Sequence, residues 1–150
     1  IKNDLIKNNK IGKLNKMMLT IKRNSRNDGV DIYWNLASHM LAVLDMFTDI
    51  GKLEFNKADL IPQKKGIISF MGNIKGQILV ESDSPNKETE VSFCGDAGMM
   101  TYGDLHKKED GLTYAMEYFK GVLGGSVDNK TNIARAILVT DILWRLKIAR

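Results

Sequence analysis

The sequence predicts an α+β fold in which an N-terminal helical cluster packs against a C-terminal antiparallel β-sheet. Three observations predict it. Apolar residues recur at three- and four-residue intervals up to about residue 62, short alternating runs replace them over about 66–139, and helical spacing returns over about 140–148. With 150 residues and a 43% hydrophobic share, the chain has single-domain size and can bury a core, so residues 1–150 read as one domain. It opens at an isoleucine on what reads as a helix under way, and the expectation is a piece of a longer polypeptide.

In the first segment Leu5, Ile6, Ile11, Leu14, Met17, Met18 and Ile21 fall on one side of a helix with the lysines on the other. Asn24 to Gly29 is a turn signal, because Asn, Asp and Gly tolerate positive φ and satisfy local backbone groups. A second helix is predicted from about Asp31 to Thr48, burying Trp34, Ala37, Leu41, Leu44 and Phe47 and ending at Gly51. Residues 56–61 read as a short third helix capped by Asn56 and stopped by Pro62. Strands are predicted around Ile67–Phe70, Ile78–Val80 and Val91–Cys94, separated by Gly72–Gly76 and Ser82–Lys87. Tyr114 to Leu123 fits either a short helix or a strand. Ala134 to Val139 reads as a last strand feeding a helix capped by Thr140, with Ile142, Leu143 and Leu146 facing the core.

The longest apolar runs, such as Ile137-Leu138-Val139, are far short of the roughly 20 residues a membrane-crossing helix needs, so the chain reads as soluble and without a membrane partner. One cysteine cannot form an internal disulfide, which favours a reducing compartment. The net charge of +4 is uneven: residues 1–30 carry +6 and residues 31–150 carry −2. A localised basic face attracts polyanions, whether nucleic acid or an acidic protein surface. The residues expected to form it are Lys10, Lys13, Lys16, Lys22 and Arg23, joined by Lys64 and Lys65.

Reaction chemistry finds little support. His39, His106 and Cys94 are the whole supply of soft ligands and neutral-pH bases, too few and too scattered for a zinc site, so no metal is expected. His39 reads as a packed or partly exposed helix residue, and Cys94 as a small buried hydrophobe. Glu81, Asp83, Glu88, Glu90 and Asp96 read as the solvated edges of strands around a turn. Gly121, Gly124 and Gly125 lack the lysine and hydroxyl that a phosphate loop requires. Phe93, Tyr102, Tyr114, Tyr118 and Phe119 are not set in a basic strand, which favours core packing over stacking on bases. A binding module therefore outranks an enzyme, and no cofactor is expected.

Several short motifs follow one another in a definite order. Ile78-Leu79-Val80 precedes Ser84-Pro85, and Val91-Ser92-Phe93-Cys94-Gly95 runs into Asp96-Ala97-Gly98. Lys120-Gly121-Val122-Leu123 with Gly125 comes next, and Ala136-Ile137-Leu138 precedes Asp141-Ile142-Leu143. From residue 33 onward this order and spacing resembles the C-terminal host-adaptation domain of orthomyxovirus polymerase basic protein two, the cap-binding subunit of the influenza-type RNA polymerase, with a thogotovirus-like member the best fit. The family's proline-rich loop is shortened to Ile61-Pro62-Gln63-Lys64-Lys65-Gly66, which leaves its host-range position unassigned in this chain.

The resemblance implies a non-catalytic accessory domain of a viral RNA-dependent RNA polymerase, present in the host nucleus and the virion. Its implied partners are viral RNA, the other polymerase subunits, the nucleoprotein and acidic host nuclear proteins. The alternative is a protein–protein docking domain whose lysines meet an acidic partner with no nucleic-acid role.

Overall fold

A two-residue period of burial, not a helical one, organises most of the molecule. A computed structural model describes residues 11–24, 31–103, 120–121, 123–126 and 133–148. Six strands form one sheet: β1 (Leu14–Lys22), β2 (Glu54–Ile61), β3 (Lys65–Met71), β4 (Lys75–Glu81), β5 (Glu88–Gly95) and β6 (Met99–Gly103). Their order across the sheet is β2-β3-β4-β1-β5-β6. Neighbours run antiparallel except β1 and β4, which are parallel.

From Leu14 on, the expected N-terminal helix is instead β1, the strand between β4 and β5. Met17, Leu19 and Ile21 alternate into the core while Met18 and Thr20 point to the other face. Leu14, Met17, Met18 and Ile21 satisfy both periods, and backbone partners on both sides of β1 decide for the strand. The expected short helix at 56–61 is likewise part of β2, where Asn56 stands opposite Ser69 rather than capping anything. The expected strand at 134–139 lies within helix α2 (Ile133–Ile148), and Thr140 is inside that helix rather than at its start. The predicted strands at 67–70, 78–80 and 91–94 lie within β3, β4 and β5. Among the described residues the fold is thus a mixed six-stranded sheet covered by helices α1 (residues 33–45) and α2, not a helical cluster on an antiparallel sheet.

Helix α1 starts as a π-helical turn, Tyr33–Ala37, and continues as an α-helix over Ser38–Asp45. Its start follows from Asp31, whose carboxylate accepts hydrogen bonds from the backbone N–H of Tyr33 (2.8 Å) and Trp34 (3.4 Å). Ala37, Leu41 and Leu44 are buried as the spacing predicts, and Trp34 and Phe47 are half-buried. Gly51 lies in a 3-10 turn, Ile50–Lys52. Helix α2 packs on α1 and β2 through Ile142, Leu143 and Leu146, and the Arg135 guanidinium reaches Asp45 at 2.6 Å.

Both helices lie on the sheet face that carries Met17, Leu19, Ile21, Ile68, Phe70, Ile78, Val80, Val91 and Phe93. Phe93 stacks against Phe47 (centroids 4.7 Å apart) and meets Tyr102 edge-on at 6.0 Å. Tyr33 crosses strand β3 at Gly66, where a Cβ would collide with its hydroxyl. The hydroxyl donates to Asp59 Oδ1 (2.6 Å) and the Ala58 carbonyl (3.2 Å). The N-terminal residues 1–10 and most of 104–132, including the ambiguous Tyr114–Leu123 stretch and His106, lie outside or largely outside the described residues.

Candidate functional site

Where β1 and β5 leave the sheet beside helix α1, the helix-covered face opens into a pocket of about 550 Å³. That volume suits a small-molecule site, for which about 300–1,000 Å³ is usual. Ile21, Leu36, Met40 and Val43 make an apolar floor, and Arg23, Asn24, Asn35, His39, Lys87 and Thr89 form the polar lining. Asn35 and His39 are four residues apart on α1, which puts both side chains on one helix face. Ile21 and Thr89 are cross-strand partners of β1 and β5 and so share that face.

The electrostatics are one-sided. Among the described residues no carboxylate lines the pocket. Arg23 Nη1 donates to the backbone carbonyls of Lys22 (3.0 Å) and Glu88 (3.2 Å), so the guanidinium is held in place by neutral acceptors. Thr89 is 2% exposed, and its Oγ1 has no hydrogen-bond partner among the described residues. A buried hydroxyl without a partner carries a desolvation cost of about 1–3 kcal/mol that a polar ligand atom would relieve.

The residues singled out from sequence are dispersed. Lys10 lies outside the described residues, and Lys13 meets Asp96 through its backbone, its N–H donating to Asp96 Oδ1 at 2.8 Å and its carbonyl accepting from the Asp96 N–H at 3.3 Å. Lys16 stands beside Lys75 on the sheet face away from the helices, at a shallower cavity of about 350 Å³. Lys22 pairs with Glu88 (2.7 Å), Lys64 with Asp83 (3.3 Å) and Lys65 with Glu81 (3.0 Å). Lys65, Glu81, Lys22 and Glu88 form a row of alternating charge across β3, β4, β1 and β5. The Glu88 hydrogen bond, opposed by partial burial and reinforced by the Glu81 and Glu90 charges, raises the Lys22 ammonium above the usual lysine value. The acids expected to face solvent freely are thus largely partners of the lysines expected to bind polyanions. Of the six candidates among the described residues, only Arg23 lines the larger pocket.

Cys94 is half-buried rather than buried. Asn24, Asn35, Lys87 and Thr89 escaped sequence reading. The signal in the sequence is Asn35 and His39 four residues apart in a largely apolar helix; the rest comes from distant segments brought together by β1 and β5.

No family model matches the sequence, and no curated protein matches it. Solved structures do match its fold. A myo-inositol dehydrogenase from Corynebacterium glutamicum aligns with 99% of this chain and 57% of its own, at 12% identity and a TM-score of 0.73. A scyllo-inositol dehydrogenase from Lactobacillus casei, solved with NAD(H) and scyllo-inositol, aligns with 99% of this chain and 57% of its own at 13% identity and a TM-score of 0.73. The WlbA dehydrogenase from Bordetella pertussis, in complex with NADH and UDP-GlcNAcA, aligns with 98% and 56% at 16% identity and a TM-score of 0.69. The chain spans a little over half the length of these enzymes.

The fold is therefore one shared with these inositol and sugar dehydrogenases, and not that of a viral polymerase domain. This overturns the resemblance to polymerase basic protein two and the accessory role drawn from it. Viral RNA, polymerase subunits, nucleoprotein and acidic host nuclear proteins lose their support as partners, and the expectation of a non-enzyme fails with them, since the neighbours are dehydrogenases and ketoreductases. The motifs that carried the resemblance describe local backbone physics: Ile78-Leu79-Val80 is the middle of β4, and Asp96-Ala97-Gly98 is the connection from β5 to β6. Any β-hairpin protein reuses such pieces.

The described residues do not fit a nicotinamide dinucleotide. The sequence has no G-x-G-x-x-G, four of the five strand pairings are antiparallel, and the N-terminus of α1 is already taken by the Asp31 carboxylate.

Proposed function

We propose that this chain supplies the substrate side of an oxidoreductase acting on a polyhydroxylated molecule of the sugar or cyclitol class. The observation that carries the reading is the pairing of Asn35 and His39 on one face of α1, in the wall of a pocket whose other polar residues are Arg23, Asn24, Lys87 and Thr89. The alignment of nearly the whole chain with sugar and inositol dehydrogenases supports it.

Oxidising a secondary hydroxyl takes a hydride from carbon and a proton from oxygen. The hydride acceptor is not held by these residues, so their share is the hydroxyl. The His39 imidazole takes the hydroxyl proton, the Asn35 amide orients a neighbouring hydroxyl, and Leu36 and Met40 pack against the carbon skeleton. Thr89 Oγ1 offers a further bond from the floor.

Replacing His39 by Gln in the intact protein tests this. Turnover of a polyol should fall by about a hundredfold or more, with the unfolding transition unchanged because His39 is exposed. Asn35→Ala should raise KM more than it lowers kcat. Full turnover in the His39 variant overturns the reading.

A further inference from the structure

We infer that the molecule bound in this pocket carries a negatively charged group, a phosphate or a carboxylate, seated between Arg23 and Lys87 with the Thr89 hydroxyl beneath it. This rests on the reading of the pocket as a substrate site, and it narrows the substrate to an acidic or phosphorylated sugar. Two independent observations carry it.

One is the charge pattern. Lys22, Lys64 and Lys65 each have a carboxylate within 3.3 Å, whereas no carboxylate pairs with Arg23 or Lys87 among the described residues. Arg23 spends Nη1 on two backbone carbonyls, which fixes the plane of the guanidinium without neutralising it. The remaining N–H groups of the fork suit a bidentate oxyanion. A neutral ligand filling the pocket would strip water from two cations and return nothing to them.

The other is the orphaned Thr89 Oγ1, 2% exposed and on the pocket lining. A hydroxyl donates well to an anionic oxygen, and a buried one without a partner gains most from such a bond.

The test is a low-salt titration of the chain, followed by amide and side-chain NMR shifts, with myo-inositol, glucuronate, glucose 6-phosphate and inorganic phosphate as probes. At least one charged sugar should bind roughly tenfold or more tightly than myo-inositol. That advantage should shrink as salt rises. Arg23→Gln and Lys87→Gln should each bring the ratio close to one, while Lys64→Gln, which removes the same charge elsewhere, should leave it intact. A preference for glucuronate or for glucose 6-phosphate identifies the group as carboxylate or phosphate. Equal affinity for charged and neutral sugars, or an undiminished ratio in both pocket variants, overturns the anion site and leaves the substrate reading standing. Inorganic phosphate binding that Arg23→Gln abolishes, with no sugar moving the His39 signals, supports the anion site and removes the substrate reading. No response to any probe overturns both.

Discussion

Lys22 and Arg23 are adjacent in sequence and electrostatic opposites in the fold. Lys22 ends β1 on the open face of the sheet, in a row of alternating charges where Glu88 neutralises it. Arg23 turns to the helix-covered side, where among the described residues its guanidinium meets carbonyl oxygens and the lining of a pocket. The two sheet faces divide the labour in the same way. On the open face the row from Lys65 to Glu88 settles its own charges, and the covered face combines a dry core with a few polar groups left for something else to satisfy. Counting charges along a segment cannot distinguish these conditions, because a strand sends neighbouring residues to opposite sides.

The largest expected effect separates core from open face. Phe93→Ala removes a ring that is 1% exposed and packed against Phe47 and Tyr102, and should lower unfolding free energy by about 3–5 kcal/mol in a denaturant titration. Met71→Ser, at an open-face residue 62% exposed, should stay within about 0.5 kcal/mol. Comparable losses at both positions would break the contrast, by showing that the open face is also covered.

Next in size is Tyr33. Burial first, and then the hydrogen bond to Asp59, push its phenol above the ordinary value. The folded state therefore favours the protonated phenol, so this contribution is complete below about pH 10 and declines as pH climbs above it. Tyr33→Phe should cost about 1 kcal/mol at neutral pH and should flatten the alkaline fall in melting temperature. Lys22, also raised, keeps its charge in the folded state past the point where the unfolded chain loses it, so its contribution is lost in the same alkaline range. It accounts for part of the slope that remains in the Tyr33 variant.

The smallest effects sharpen the picture within the open face. Lys22→Met breaks a part-buried pair in the middle of the row and should cost about 0.5–1 kcal/mol, whereas Lys64→Gln, at a pair more than half exposed on the lysine side, should cost no more than about 0.5 kcal/mol. A double-mutant cycle with Glu88→Gln and Asp83→Asn, respectively, checks both values.

How far the sequence is legible follows from which physical signal each element needed. Strands β3, β4 and β5 are readable because Ile68 with Phe70, Ile78 with Val80, and Val91 with Phe93 alternate between turn residues. Helix α1 is readable from Ala37, Leu41 and Leu44. Strand β1 is not, since its apolar residues fit a helix as well as a strand and its partners β4 and β5 lie far along the chain. Strand β2 buries little of its own side-chain surface and is defined by pairing with β3, so Asn56 and Pro62 look like helix punctuation. In α2 the β-branched Ile137 and Val139 suggest a strand, and packing through Ile142, Leu143 and Leu146 overrides them. Of the pocket, His39 is visible as a lone titratable residue, but its association with Arg23, Lys87 and Thr89 is a product of tertiary register that no local spacing encodes.

The position of β1 also sets a timetable. During synthesis β2, β3 and β4 can zip together as each emerges, since every turn between them is short. The strand made before them must wait with Met17, Leu19 and Ile21 unsheltered until β4 offers one edge and β5 the other. Closing that gap is the slow, long-range step in assembling this molecule, and a nascent chain halted before β5 would be the species most prone to stick to its neighbours.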